Sequence, residues 1–177
     1  MDLKEKKLSG EVLYSGKVVR LEKDRVLCPN GITSYREIIR HPGGAAILCI
    51  TKDRQVLLIK QYRYAYDDFL YEIPAGKLEV GEDPEKAALR EFEEETGNKA
   101  KTIEFLNVIY PSCGYTSEKI YLYLVKDFDK SQTHFDEDEV IETQMMAYED
   151  VLKAIQEGKI QDAKTICALM SYHLRYE

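Results

Sequence analysis

Glu91, Glu94 and Glu95 are the residues of this 177-residue chain whose type and spacing could do chemistry. Three and four positions apart on a helix, they would put three carboxylates on one side. Each like-charged pair costs roughly 0.2–0.5 kcal/mol, and Glu93, Glu94 and Glu95 crowd a helix end where the macrodipole disfavours anions. A bound cation would remove both penalties. Hard oxygen donors on a compact site suit Mg²⁺, which keeps several waters and completes its shell from substrate phosphate.

The helix that must carry these groups is marked at both ends. Asp83 suits the cap and Pro84 the first helical position, and Gly97 is a stop, which predicts a helix over Pro84–Thr96. Ala88, Leu89, Phe92 and Thr96 would form its packing side. Before it, Pro74-Ala75-Gly76 reads as a tight turn out of a strand at Phe69–Ile73.

The other elements follow from patterning. Glu11–Tyr14, Lys17–Leu27 and Ile32–Arg40 read as strands broken at Ser15-Gly16 and at the hairpin turn Pro29-Asn30-Gly31. His41-Pro42-Gly43-Gly44 is the one plausible boundary, separating an N-terminal antiparallel sheet (1–42) from a main domain (43–177). Ala45–Thr51 and Gln55–Gln61 are near-continuous apolar strands of a buried sheet, and Lys101–Ile109, Lys119–Val125 and Ile141–Ala147 are further strands. Tyr148–Gln156 and Asp162 to about Tyr172 carry helical spacing. The order of elements predicts an α/β fold with a mixed sheet between helices.

Composition sets limits. The net charge of −7 leaves no basic stripe for nucleic acid, and an acidic chain that binds an anionic substrate needs metal ions and local arginines to reverse the field. No apolar run reaches membrane length, and the opening MDLKEKKLSGE lacks a signal-peptide core, so the cytoplasm is expected. Cys28, Cys49, Cys113 and Cys167 have no zinc-ligand spacing, and His41, His134 and His173 are scattered.

Gly76, five residues, Glu82, seven residues, then Arg90-Glu91-Phe92-Glu93-Glu94-Glu95-Thr96-Gly97 resembles the signature of the Nudix hydrolases at every charged and glycine position. Asn98 stands where that family usually has an aliphatic residue. The resemblance implies an α/β/α sandwich, with Glu91, Glu94, Glu95 and the Ala75 carbonyl as ligands of Mg²⁺ or Mn²⁺. It also implies that Arg90 orients the glutamates, with Glu82 in support.

Arg36-Glu37, Gln61-Tyr62-Arg63, the EIPAG of Glu72–Gly76, the SCGYTSE loop and Asp162-Ala163-Lys164-Thr165 extend the likeness to the bacterial ADP-ribose pyrophosphatases in that family. Two positions depart: Cys113 replaces a usual proline, and Val18 stands where several relatives have an aromatic. The resemblance implies Arg36 stacked on adenine, Glu37 on the base edge, Arg63 on a phosphate, and Ser112, Gly114 and Glu118 as further substrate contacts. Glu139, or its neighbour Glu137, would be the base that orients or deprotonates water. The expected reaction is hydrolysis of ADP-ribose to AMP and ribose 5-phosphate by a homodimer. Another nucleoside diphosphate sugar or dinucleotide (GDP-mannose, NADH) is the alternative substrate, and a non-catalytic sensor the alternative class.

Overall fold

A computed structural model describes residues 2–133 and 140–177, and the chain forms two compact units. The first comprises residues 1–43 with 112–118, and the second 44–111 with 119–177. The loop 112–118, assigned from sequence to the main domain, is thus grouped with the N-terminal sheet.

In the first unit, β1 (Lys6–Ser15), β2 (Arg20–Leu27) and β3 (Thr33–Arg40) form an antiparallel sheet in that order. The β2–β3 turn closes through the Gly31 amide, which donates to the Cys28 carbonyl, with Gly31 at φ +82°, a conformation glycine adopts without strain. The loop 112–118 lies along β3: the Ile39 amide donates to the Tyr115 carbonyl at 2.7 Å, and the Ser117 amide to the Ile39 carbonyl at 2.9 Å.

In the second unit, β12 (Ile141–Ala147), β5 (Gln55–Arg63), β4 (Gly44–Ile50), β10 (Ile120–Val125) and β9 (Glu104–Ile109) lie side by side in that order. β6 (Asp68–Glu72) pairs with β5, and β7 (Ala75–Lys77) with β4. Among the described residues of this sheet only β4 and β10 run parallel, so the sheet is mixed. Every residue of β4 is buried because both faces are covered. Ala46, Leu48 and Ile50 pack towards α2 (Tyr148–Gln156) and α3 (Ala163–Tyr176), and Ala45, Ile47 and Cys49 towards Ala87, Ala88 and Phe92 of α1 (Pro84–Thr96). The unit is the expected α/β/α sandwich. Among the described residues no helix is long and apolar enough to cross a membrane.

Three short strands escaped the sequence reading. Where the sequence predicts a turn, β7 forms a strand whose residues Ala75, Gly76 and Lys77 pair with Ala46, Ala45 and Gly44. The strand expected over 101–109 begins only at Glu104; upstream, β8 (Asn98–Ala100) pairs separately with β11 (Phe128–Lys130). α1 turns slightly differently from the prediction: Ala87 and Glu95 are buried with Ala88, Phe92 and Thr96, while Leu89 is half-buried.

Asn98 explains its own departure from an aliphatic residue. It is buried, its Nδ2 donates to the Thr96 carbonyl and to Thr96 Oγ1 at 3.0 Å each, and its Oδ1 accepts from Lys130 Nζ at 3.2 Å. The amide thereby fastens the end of α1 to β11. Asn98→Ala is expected to cost about 1–3 kcal/mol, because the buried groups lose their partners. Urea denaturation measures this, and an unchanged midpoint would refute the role.

Candidate active site

α1 starts and stops on local signals, and that fixes where its carboxylates stand. Asp83 Oδ1 accepts from the Glu85 and Lys86 amides at 3.0 and 3.2 Å, and Gly97 closes the helix at φ +61°. At the middle of the helix, Arg90 gathers three acids. Its Nη1 donates to Glu91 at 2.8 Å and Glu94 at 2.9 Å, while Nε and Nη2 donate to the two oxygens of Glu82 at 3.1 and 3.2 Å. The Glu79 amide also donates to Glu82, at 2.9 Å. Arg90, with that amide, holds the Glu82 carboxyl below its ordinary value. Arg90 thus donates to Glu82, Glu91 and Glu94 at once.

Glu95 lies against β7. It is 3% exposed and its Oε2 accepts from the Ala75 amide at 2.9 Å. Glu91 lies over Gly76 so closely that a Cβ there would stand 1.8 Å from the Glu91 carboxyl carbon. Only a glycine allows this approach. Glu91, Glu95 and the backbone of Ala75-Gly76 thus meet where α1 crosses β7.

Among the described residues, no three His, Cys, Asp or Glu side chains are grouped closely enough to hold a metal ion. Arg90 sits between Glu91 and Glu94 and relieves part of the repulsion that the sequence assigned to a cation. The donor types suit a hard divalent ion: carboxylate oxygens from Glu91 and Glu95 beside a backbone segment kept bare by glycine, with Glu94 joined to Glu91 through Arg90.

A second charged group adjoins the first. Arg63, expected on a phosphate, grips Glu72 with Nε and Nη2 at 2.6 and 2.7 Å. Glu72 is 1% exposed and also accepts from Lys164, whose Nζ stands 3.1 Å from Asp162. Thr165 Oγ1 accepts from the Ile73 amide at 2.8 Å. Burial pushes the Glu72 carboxyl up, but Arg63 and Lys164 outweigh it and leave it below its ordinary value. The sign follows: a depressed carboxyl stabilises the fold above its unfolded value of about 4.3, and that stability is lost as pH falls through the folded value. The melting-temperature gap between the native chain and Glu72→Gln should therefore narrow as pH is taken from 6 to 3. A constant gap would refute this.

No role for Glu72, Lys164 or Thr165 came from sequence reasoning. The available signals were the motifs that contain them, Glu72–Gly76 and Asp162-Ala163-Lys164-Thr165, and an acid at the end of the apolar stretch Phe69-Leu70-Tyr71.

In the first unit, Arg36 is occupied. Its Nε and Nη2 donate to Glu5 and its Nη1 to the Tyr35 carbonyl and Ser34 Oγ, so the guanidinium expected on adenine here pairs with a carboxylate. Glu37 is exposed beside it. Ser112 accepts at its carbonyl from the Thr116 amide, Gly114 is exposed, and Glu118 stands 3.5 Å from His41 Nδ1. Glu137 and Glu139, the expected base, lie outside the described residues.

A model of the NUDIX domain matches residues 40–169. An ADP-ribose pyrophosphatase of Bacillus subtilis (strain 168) is 39% identical over 98% of this chain and 95% of its own length. A methanol dehydrogenase activator of Bacillus methanolicus is 42% identical over 97% of this chain and 94% of its own. Among solved structures, one described as an ADP compounds hydrolase superposes with a TM-score of 0.85 at 21% identity, covering 97% of this chain and 93% of that one.

Proposed function

The chain belongs to the NUDIX family, and from that premise we propose that it is a divalent-metal-dependent pyrophosphohydrolase of ADP-ribose, releasing AMP and ribose 5-phosphate. The observation that carries this is the carboxylate array on α1, ordered by Arg90 and laid against the glycine strand β7. Glu91, Glu94, Glu95 and the Ala75 carbonyl would hold Mg²⁺, with Mn²⁺ as substitute. Bound there, the ion would neutralise the diphosphate, acidify water and stabilise the leaving oxygen.

The chain's own groups do the rest. Arg90 keeps Glu82, Glu91 and Glu94 in place, and Glu95 is fixed by the Ala75 amide. Arg63 meets a phosphate, while Arg36, Glu37, Ser112, Gly114 and Glu118 supply further contacts to the nucleotide. Glu139, with Glu137 as the second choice, takes the proton from water. Water attacks one phosphorus and the bridging P–O bond breaks; no covalent enzyme intermediate is needed.

The similar B. subtilis pyrophosphatase, alike along nearly the whole chain, favours ADP-ribose. The similarity to a methanol dehydrogenase activator favours a second reading, in which this chain stimulates another enzyme. β1, exposed at every position, suits the surface of a homodimer, and four free cysteines suit the reducing cytoplasm. Product analysis from ADP-ribose in ¹⁸O-water with Mg²⁺ is expected to show AMP and ribose 5-phosphate with label in one of them. Turnover of GDP-mannose or NADH but not of ADP-ribose would overturn the substrate, and no turnover of any of the three would favour the activator.

A further inference from the structure

We propose that Lys164 is a positioning residue: by neutralising Glu72 it leaves the charge of Arg63 available to the diphosphate. This rests on the reading above, in which Arg63 meets a phosphate.

Glu72 is buried at the end of β6 and receives two cations. Arg63 reaches it through a fork of two hydrogen bonds, at 2.6 and 2.7 Å, with a side chain still 41% exposed. Lys164 reaches the same carboxylate from the first turn of α3 and is itself only 8% exposed, with Asp162 as its second anion. The four charges sum to zero, but they are unequal in access: both acids and the lysine are largely enclosed, whereas the arginine faces water. A buried carboxylate with one cation would claim that cation fully, because an uncompensated charge in the interior is costly. With Lys164 also on Glu72, the carboxylate is shared between two cations, and of the four charges the guanidinium is the one that an incoming anion can reach. Glu95 also stands close enough to Arg63 for its charge to be felt there, which places this field beside the α1 carboxylates.

The test uses the full chain and inorganic pyrophosphate as probe, by calorimetry in EDTA, alongside ADP-ribose kinetics with Mg²⁺. Lys164→Met is expected to weaken pyrophosphate about five- to tenfold and raise KM similarly, with kcat within about twofold. In the Glu72→Gln background the same substitution should cost less than about twofold, because Arg63 then has no buried carboxylate to answer.

An equal loss in both backgrounds would show Lys164 acting by its own field, and no loss in either would show a merely structural lysine; either overturns the proposal. So would the absence of pyrophosphate binding by the native chain. If Lys164→Met does not fold, the charge-balanced double variant decides, since its affinity must match that of Glu72→Gln. Failure of the hydrolase reading is separate: ADP-ribose turnover would be missing while the pyrophosphate affinities still differ.

Discussion

Glu95→Gln should lower kcat by about 10²–10³-fold while leaving the melting temperature within a few degrees of the native chain. The two halves of that expectation come from different atoms. Gln keeps a carbonyl oxygen able to accept the Ala75 amide, now 2.9 Å from Glu95 Oε2, and occupies the same volume in a site only 3% exposed. What it removes is the negative charge. In the proposed mechanism that charge helps hold the ion where α1 meets β7, so the loss falls on the chemical step and on the Mg²⁺ concentration needed for half-maximal rate. Kinetics across a Mg²⁺ titration, with a thermal melt of the same sample, measure both. Unchanged kcat would remove Glu95 from the ligand set.

Gly76→Ala is the second large effect, again selective. An added Cβ would lie 1.8 Å from the Glu91 carboxyl carbon and 1.9 Å from its Oε1, far inside contact distance. The backbone does not resist the change, since the φ of Gly76 is outside the left-handed region. The obstacle is the far end of a flexible side chain, so Glu91 should swing away, at a rotamer cost of about 0.5–1.5 kcal/mol. In moving, it gives up the 2.8 Å hydrogen bond from Arg90 and its place over β7. Activity should fall about 10²-fold with little loss of stability. A variant that stays active, or one that unfolds, would contradict this account of why glycine stands there.

What the sequence disclosed and what it hid divide along physical lines. α1 was legible to the residue because Asp83, Pro84 and Gly97 act within one turn of its ends. β4 and the stretch Val56–Ile59 of β5 were legible because a strand segment covered on both faces must be apolar throughout. β7, β8 and β11 were not, since three residues are too few to show a period. The carboxylate triad was legible as spacing, but the burial of Glu95 and the seat of Glu91 on Gly76 depend on a strand that the sequence did not announce. Partners distant in sequence stayed hidden for the same reason: nothing near Arg36 points to Glu5, and nothing near Glu72 points to Lys164.

The joining of Glu72 and Ile73 to Lys164 and Thr165 spans 92 residues in each case. During synthesis the strand that leads into Ala75-Gly76 leaves the ribosome long before the helix that fastens it. Until α3 arrives, Glu72 lacks one of its two cations and the Ile73 amide lacks its acceptor, and closing so long a loop belongs to the slow, late part of folding. The site is therefore completed only after α3, 92 residues further along the chain, has been made. A chain made only as far as α1 carries its carboxylates and still lacks the clamp that Lys164 and Thr165 place on Glu72 and Ile73.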